Sequence, residues 1–173
     1  MGHRVIEQVV CLEGSLGERL SDIYAACFSG APWFEEWTRE AASQELQSLL
    51  AKGADIVAVE CDGEIASIGV GVSVEVAGDA AQLIALGIDR GSYYIAEIAT
   101  DPAYQRRGLC TEICMILEER ARAAGATSLS ARTRFDNIGA ISVFERLTMQ
   151  KIAGYSAETG GRTSLRVVFQ KRF

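Results

Sequence analysis

The run Gln105-Arg106-Arg107-Gly108 stands between a strand-like segment and the start of an amphipathic helix, and its residue types suit an anion. The first turn of a helix exposes N–H groups without intrahelical partners and a partial positive charge, and glycine there lets a phosphate approach the backbone. Arg106 and Arg107 add full charges. Neither GxxxxGK[ST] nor GxGxxG occurs in the segment, so the pattern favours a pyrophosphate other than a Mg-nucleotide or a nicotinamide dinucleotide. A second candidate is Glu97, the only charge in the otherwise apolar Ser92 to Thr100. Carboxylates are almost never fully buried alone. If Glu97 faces a cleft, desolvation raises its pKa toward the range that takes a proton from an ammonium; the alternative is a salt bridge to Arg132 or Arg134 on the next strand. A third is the cluster Trp33, Phe34, Glu35, Glu36 and Trp37. Aromatic walls with carboxylates suit a cationic amine, and the same residues also suit the packed start of a helix.

Other chemistries are excluded. The only histidine is His3, so no Ser-His-Asp triad, Cys-His pair or histidine metal site can be assembled, and no metal is expected. The five cysteines, Cys11, Cys27, Cys61, Cys110 and Cys114, contain no CxxC, which fits free thiols in a reducing compartment. No apolar run approaches the length of a membrane span and no charged-then-apolar leader precedes the chain, so a cytoplasmic protein without a membrane partner is expected.

The elements that must position these residues follow from periodicity. With 173 residues, 49% of them hydrophobic and 23% charged, the chain reads as one globular domain. Val5 to Val10 reads as a strand and Gly17 to Phe28 as a helix; a second helix starts at Thr38 and stops at Gly53. Ile56 to Cys61 and Ile65 to Val74 flank Asp62-Gly63 as a hairpin, with a short helix over Asp79 to Leu86. Ser92 to Thr100, apolar on both faces, belongs in the middle of a covered sheet. Leu109 to Gly125 reads as an amphipathic helix, Leu129 to Thr133 as a strand and Gly139 to Leu147 as a helix. Ile152 to Ser156 and Leu165 to Gln170 close the order as an antiparallel pair. This is an α/β or α+β domain, a central sheet with helices on its faces.

The segment Ile98 to Cys110 resembles the acetyl-CoA motif [Q/R]-x-x-G-x-[G/A] of the GCN5-related N-acetyltransferase (GNAT) superfamily, with Gln105 and Gly108 matching and Cys110 standing in for the small residue. Asn137 to Leu147 is similar to the second family motif, N-x-x-A-x-x-hydrophobic-[Y/F]-E-K/R-L. The resemblance implies a single N-acetyltransferase domain over residues 4–173, with a mixed, mostly antiparallel sheet splayed between its fourth strand (Ser92 to Thr100) and fifth (Leu129 to Thr133). It implies acetyl-CoA as cosubstrate, its pyrophosphate on the N–H groups of Arg106, Arg107, Gly108, Leu109, Cys110 and Thr111 beside Gln105. Its pantetheine arm would lie along Ile98, Ala99 and Thr100, with Asn137 and Phe144 also facing it. Trp33, Phe34, Glu35 and Trp37 would border the acceptor, and Glu97 would be the catalytic base. Phe144 stands where many members carry a proton-donating tyrosine, which leaves Tyr104, Tyr155, Cys110 or water as the donor, or none.

The expected function is transfer of an acetyl group from acetyl-CoA to a primary amine of a cationic acceptor, a small molecule or a peptide or protein, by direct attack. A non-catalytic acyl-CoA sensor or interaction module is the alternative, motivated by Phe144. Charge bears on the partner. The total is −6, yet residues 5–64 hold 12 acids and 3 bases whereas residues 102–173 hold 6 acids and 12 bases. The overall sign argues against nucleic acid, although the basic C-terminal part leaves an acetyltransferase acting on charged tRNA as a third reading. Exposed edge strands make a homodimer an expectation.

Overall fold

The computed structural model describes residues 3–6, 8–159 and 161–173. Seven strands form one sheet in the order β1-β2-β3-β4-β5-β7-β6. They are β1 (His3–Ile6), β2 (Asp55–Cys61), β3 (Glu64–Ser73), β4 (Ser92–Thr100), β5 (Ser128–Arg134), β6 (Gln150–Thr159) and β7 (Arg162–Arg172). Every neighbouring pair is antiparallel except β4 with β5. The helices are α1 (Gly14–Ser29), α2 (Arg39–Ala51), α3 (Ala80–Ala85), α4 (Leu109–Ala123) and α5 (Ile138–Arg146). Among the described residues no helix is long and apolar enough to cross a membrane.

Apolar cores cover both faces of the sheet, one on the α4 face and two on the other, and the period of two along each strand assigns residues between the faces. On β2, Val57 and Val59 pack toward Ile113 and Leu117 of α4, while Ile56 and Ala58 pack toward Leu20 and Ile23 of α1 and Leu46 of α2. Tyr93 and Ile95 of β4 join the α4 side; Tyr94 faces the other way. The long apolar run of β4 thus has both faces covered, as its composition requires.

Most elements match the sequence reading to within a few residues; two differ. The first strand covers His3–Ile6, not Val5 to Val10, although Val9 still bonds back to the Ile56 carbonyl at 2.9 Å. Here Val9 is buried and Val10 exposed, because the chain is already leaving the sheet edge toward α1. The tryptophans do not open a helix. Residues 35–38 carry no regular structure, and α2 begins after Thr38, whose side chain accepts from Ala41 N at 3.1 Å and caps it.

The register breaks at one place that matters. Val70 pairs with Glu97 but the adjacent Gly71 pairs with Ile95, so Ala96 is an extra, unmatched residue on β4. The side-chain alternation slips by one across it. Glu97 therefore shares the α1 and α2 side with its partner Val70 and with Ala99, while Ile98 returns to the α4 side. Without the extra residue, Glu97 would be driven into the apolar α4 core.

Beside this bulge, β3 and α4 come unusually close. A Cβ on Gly69 would lie 2.1 Å from Cγ2 of Ile113, and one on Gly71 would lie 2.2 Å from the Tyr93 ring. Gly69→Ala is therefore expected to destabilise the fold by about 1–3 kcal/mol through overpacking, a drop of roughly 2–12 °C in Tm. Gly78→Ala, which meets open space, should stay within about 0.5 kcal/mol. Thermal melts of the two variants check the contrast.

Candidate active site

Strands β4 and β5 pair only from Ser92 with Ser128 to Ile95 with Ala131. Beyond that point β4 continues to Thr100 beside β3, and β5 continues to Arg134 beside β7. The two diverge and leave a wedge, and the edge of β4 from Ala96 to Thr100 has no strand on its β5 side. A cavity of about 840 Å³ fills the wedge, bounded by α1, the α1–α2 connection, β4, the head of α4, β5, α5 and β7.

At one end lies the α4 head. Asp101 accepts from Ala103 N at 2.8 Å and from Arg19 at 2.7 Å, which fixes the turn after β4. Gln105 reaches back to donate to the Thr100 carbonyl at 3.3 Å. Arg106 and Gly108 then both take left-handed backbone, with φ of 62° and 86°. Gly108 suits such a φ and has open space where a Cβ would stand. The helix carries no side-chain cap, and Glu112 N bonds Gly108 O at 3.1 Å. The N–H groups from Gly108 to Thr111 thus precede the regular ladder and border the cavity, a ready anion site. Leu109 buries its side chain in the α4 core, so it offers the site its N–H only.

At the other end, Glu97 is half-buried in the cavity wall. Burial, reinforced by the like charges of Glu45 and Glu35, pushes its pKa up to about 8; a hydrogen bond from the Tyr24 hydroxyl and the charge of Arg166 act against that rise. Tyr24 is itself held protonated, first by burial and then by Glu97. The alternative salt bridges go elsewhere. Arg132 donates to Asp79 and, at 2.9 Å, to the Tyr155 hydroxyl, and Arg134 grips Asp136 at 2.8 and 2.9 Å.

The tryptophans of the aromatic cluster are packed against the core and also line the cavity. Trp37 donates to Glu35 at 2.8 Å and meets the Tyr24 ring edge-on at 4.9 Å. Trp33 packs on Phe28 at 5.6 Å and lies under the Arg166 guanidinium at 4.7 Å. Both tryptophans pack against the α1–α2 core and still line the cavity. On the far wall, Asn137 accepts from Ala140 N at 3.3 Å to cap α5 and donates to Thr133 at 3.1 Å, and Phe144 packs on Phe169 at 5.4 Å.

The cavity lining brings together Glu97, Ile98, Ala99, Thr100, Gln105, Arg106, Gly108, Leu109, Cys110, Thr111, Asn137, Phe144, Trp33, Glu35 and Trp37. Two expected residues lie outside it. Phe34 is 58% exposed, and Arg107 turns back to donate to the Ala103 carbonyl at 3.4 Å and cover the Tyr104 ring at 4.9 Å. Sequence reasoning missed Tyr24, Glu45 and Arg166, and took Arg132 only as a salt-bridge partner for Glu97. The available signals were a phenol on the buried stripe of α1 and an arginine among the apolar residues of β7.

A comparison with curated protein sequences returns no match. Among solved structures, a ribosomal-protein-alanine N-acetyltransferase from Brucella melitensis aligns at 15% identity over 98% of this chain and 99% of that one, with a TM-score of 0.76. A Salmonella typhimurium protein solved with its cofactor acetyl-CoA aligns at 14% identity over 99% and 94%, TM-score 0.74. A Bacillus subtilis acetyltransferase in complex with CoA aligns at 13% over 99% of both chains, TM-score 0.66. At such identities these three share the fold. The sequence itself matches the acetyltransferase (GNAT) family over residues 17–149, a stretch that contains the bulged β4, the α4 head and α5, and the chain therefore belongs to that family, whose acyl donor is acetyl-CoA.

Proposed function

We propose that this chain, as one domain over residues 4–173, is an N-acetyltransferase that transfers acetyl from acetyl-CoA to a primary amine by direct attack, with Glu97 as the base. The observation that carries the reading is the placement of the Glu97 carboxylate, its proton affinity raised, in the same cavity as the open edge of β4 and the uncapped head of α4. The fit to the cosubstrate rests on those two backbone features. N–H groups from Arg106 to Thr111 would hold the pyrophosphate, with the Arg106 charge beside them, and the edge from Ile98 to Thr100 would pair with the amides of the pantetheine arm. Bound there, acetyl-CoA supplies an acetyl group activated as a thioester. Asn137 and Phe144 would border it from the β5 side.

Glu97 takes the proton that the acceptor's ammonium must lose before its nitrogen can attack, directly or through one water. A base with a pKa near 8 is well matched to that donor. Donors on the open β4 edge, fixed by the sheet, stabilise charge that develops on the carbonyl oxygen without reorganising. Trp33 and Trp37 wall the acceptor, and Glu35 and Glu45 attract its cation. Tyr104 and Cys110 also line the cavity, whereas Tyr155 does not, and would be the side chains to protonate a departing thiolate. The buried thiols Cys61 and Cys114 suit a reducing cytoplasm. The sensor reading keeps one observation in its favour, the phenyl ring of Phe144 packed on Phe169, which has no proton to give.

Wild-type acetyl transfer, followed by thiol release over an amine panel, should rise with pH along a limb centred near 8, because only ionised Glu97 accepts a proton. Glu97→Gln should remove that limb and lower the rate by about 10²–10⁴-fold; equal, slow release from both proteins across the panel would favour the sensor. The same variant tests the pKa through stability. A carboxyl whose pKa is raised from 4.5 to about 8 on folding binds its proton more tightly in the native state. Stability from this group is full below about 4.5, declines as pH rises toward 8 and is flat above. Glu97→Gln should therefore gain in Tm relative to wild type between pH 5 and pH 9. Separately, Gly108→Val puts a branched side chain on left-handed backbone in the anion site and should weaken acetyl-CoA binding at least about tenfold by calorimetry. Absence of acetyl-CoA binding by the wild-type protein would overturn the whole assignment.

A further inference from the structure

The cavity wall around Glu97 carries charge of both signs, each sign on its own side. Glu35, Glu45 and Glu97 come from the α1–α2 region and β4, whereas Arg132 and Arg166 come from β5 and β7. Register explains the second group. Arg134 lies opposite Arg166, Arg132 lies opposite Val168, and Arg166 lies opposite Tyr155. Val168 and Tyr155 belong to the core on the α3 side of the sheet, so Arg132 and Arg166 project from the same face that the Ala96 bulge gives to Glu97. Arg166 is only 8% exposed, yet it borders the cavity with its guanidinium over the Trp33 ring at 4.7 Å.

A ligand carrying only an ammonium would meet Glu97 correctly but bring a positive charge toward the Arg166 guanidinium in a partly desolvated space, where like charges repel most; Arg132 beside it is ion-paired with Asp79. A ligand with an amine at one end and a carboxylate a few bonds away satisfies both walls. Arginine's planar fork is also the group best shaped for a carboxylate. We infer that the acceptor is a free amino acid, its amine directed at Glu97 and its carboxylate held by Arg166 with Arg132 beside it. Trp33 positions the Arg166 fork from below, and the Asp79 and Tyr155 bonds fix Arg132 so that it bends little toward the ligand. The inference rests on the acetyl-transfer reading of this site and narrows its acceptor from amines in general to amino acids. A peptide N-terminus lacks the adjacent carboxylate and fits less well.

Calorimetry on the full chain, with and without saturating CoA, tests this with the twenty standard amino acids, each beside its methyl ester, and with an alanyl peptide amide. At least one amino acid should bind roughly 10- to 100-fold more tightly than its ester, the worth of one charge-assisted hydrogen bond, and more tightly than the peptide. Arg166→Gln should collapse that preference toward one, and Arg166→Lys, which keeps the charge without the fork, should retain part of it. If every ester or the peptide binds as well as its acid, the inference is overturned. Equal weakening of acid and ester by Arg166→Gln overturns it too. Should that variant not fold, the acid-to-ester ratio in the wild-type protein still decides. Thiol release judges the underlying reading separately. Preferential amino-acid binding without any CoA-SH release supports this acceptor site and rejects transfer, whereas transfer to amines without regard to a carboxylate does the reverse.

Discussion

The structure depends on β4 losing its pairing with β5 and slipping its register against β3 at adjacent residues. On one side the ladder to β5 ends at Ile95 and Ala131; on the other, Ala96 is inserted against β3. A strand buried on both faces normally has every backbone donor and acceptor matched, since an unmatched buried group is costly. Here an open edge persists because it faces a cavity, where a ligand or water can meet it. The bulge then reverses the facing of the one charged residue on the strand. The end of the β5 ladder leaves the open backbone edge, the extra residue sets the orientation of Glu97, and the close approach of Gly69 to Ile113 keeps α4 beside that edge.

The electrostatics of the cavity follow from that geometry. Glu97 is destabilised as an anion by burial and by Glu45 and Glu35, and it is kept from full neutrality by Tyr24 and Arg166. Opposing influences of this kind leave a carboxyl poised near the pH at which amines titrate, which no single influence would do. Burial and the nearby positive charges of Arg132 and Arg134 pull the Arg166 pKa down while Glu35 supports its charge. The split of charge along the chain, acidic before residue 65 and basic after 101, thus has a finer meaning in three dimensions. The basic part places Arg106 at the α4 head and Arg132 and Arg166 in the same cavity as Glu97.

What could be read from the sequence was whatever depends on local pattern. Apolar periodicity showed the helices, Asp62-Gly63 showed the hairpin, and the apolar run around Glu97 showed a central strand; Gln105 to Gly108 marked the turn into α4, where the N-cap is left-handed and no side chain caps the helix. Register was not legible. Nothing in Ser-Tyr-Tyr-Ile-Ala-Glu says that Ala96 is unmatched, because bulges are set by pairing with another strand, so the face on which Glu97 lies stayed open between a cleft and a salt bridge. Arg107 illustrates the converse error. Its charge beside Arg106 reads as a second anchor, yet the left-handed turn at Arg106 sends it back over Tyr104. Tyr24, Glu45 and Arg166 come from three distant elements, and their meeting is a tertiary fact.

The two halves of the site differ in what they demand of sequence. On the proposed reading, the donor half is built from N–H groups of the α4 head and the β4 edge, which any residues can supply if the bulge, the splay and the left-handed turn survive. Structures only 13% and 15% identical can therefore superpose over nearly the whole chain, because few side chains are needed to keep such backbone in place. The proposed acceptor half is built from side chains, Trp33, Glu35, Glu45, Arg132 and Arg166, which line the cavity from several elements. On the acetyl-transfer reading, the identity of the acceptor is argued from the charges placed around Glu97.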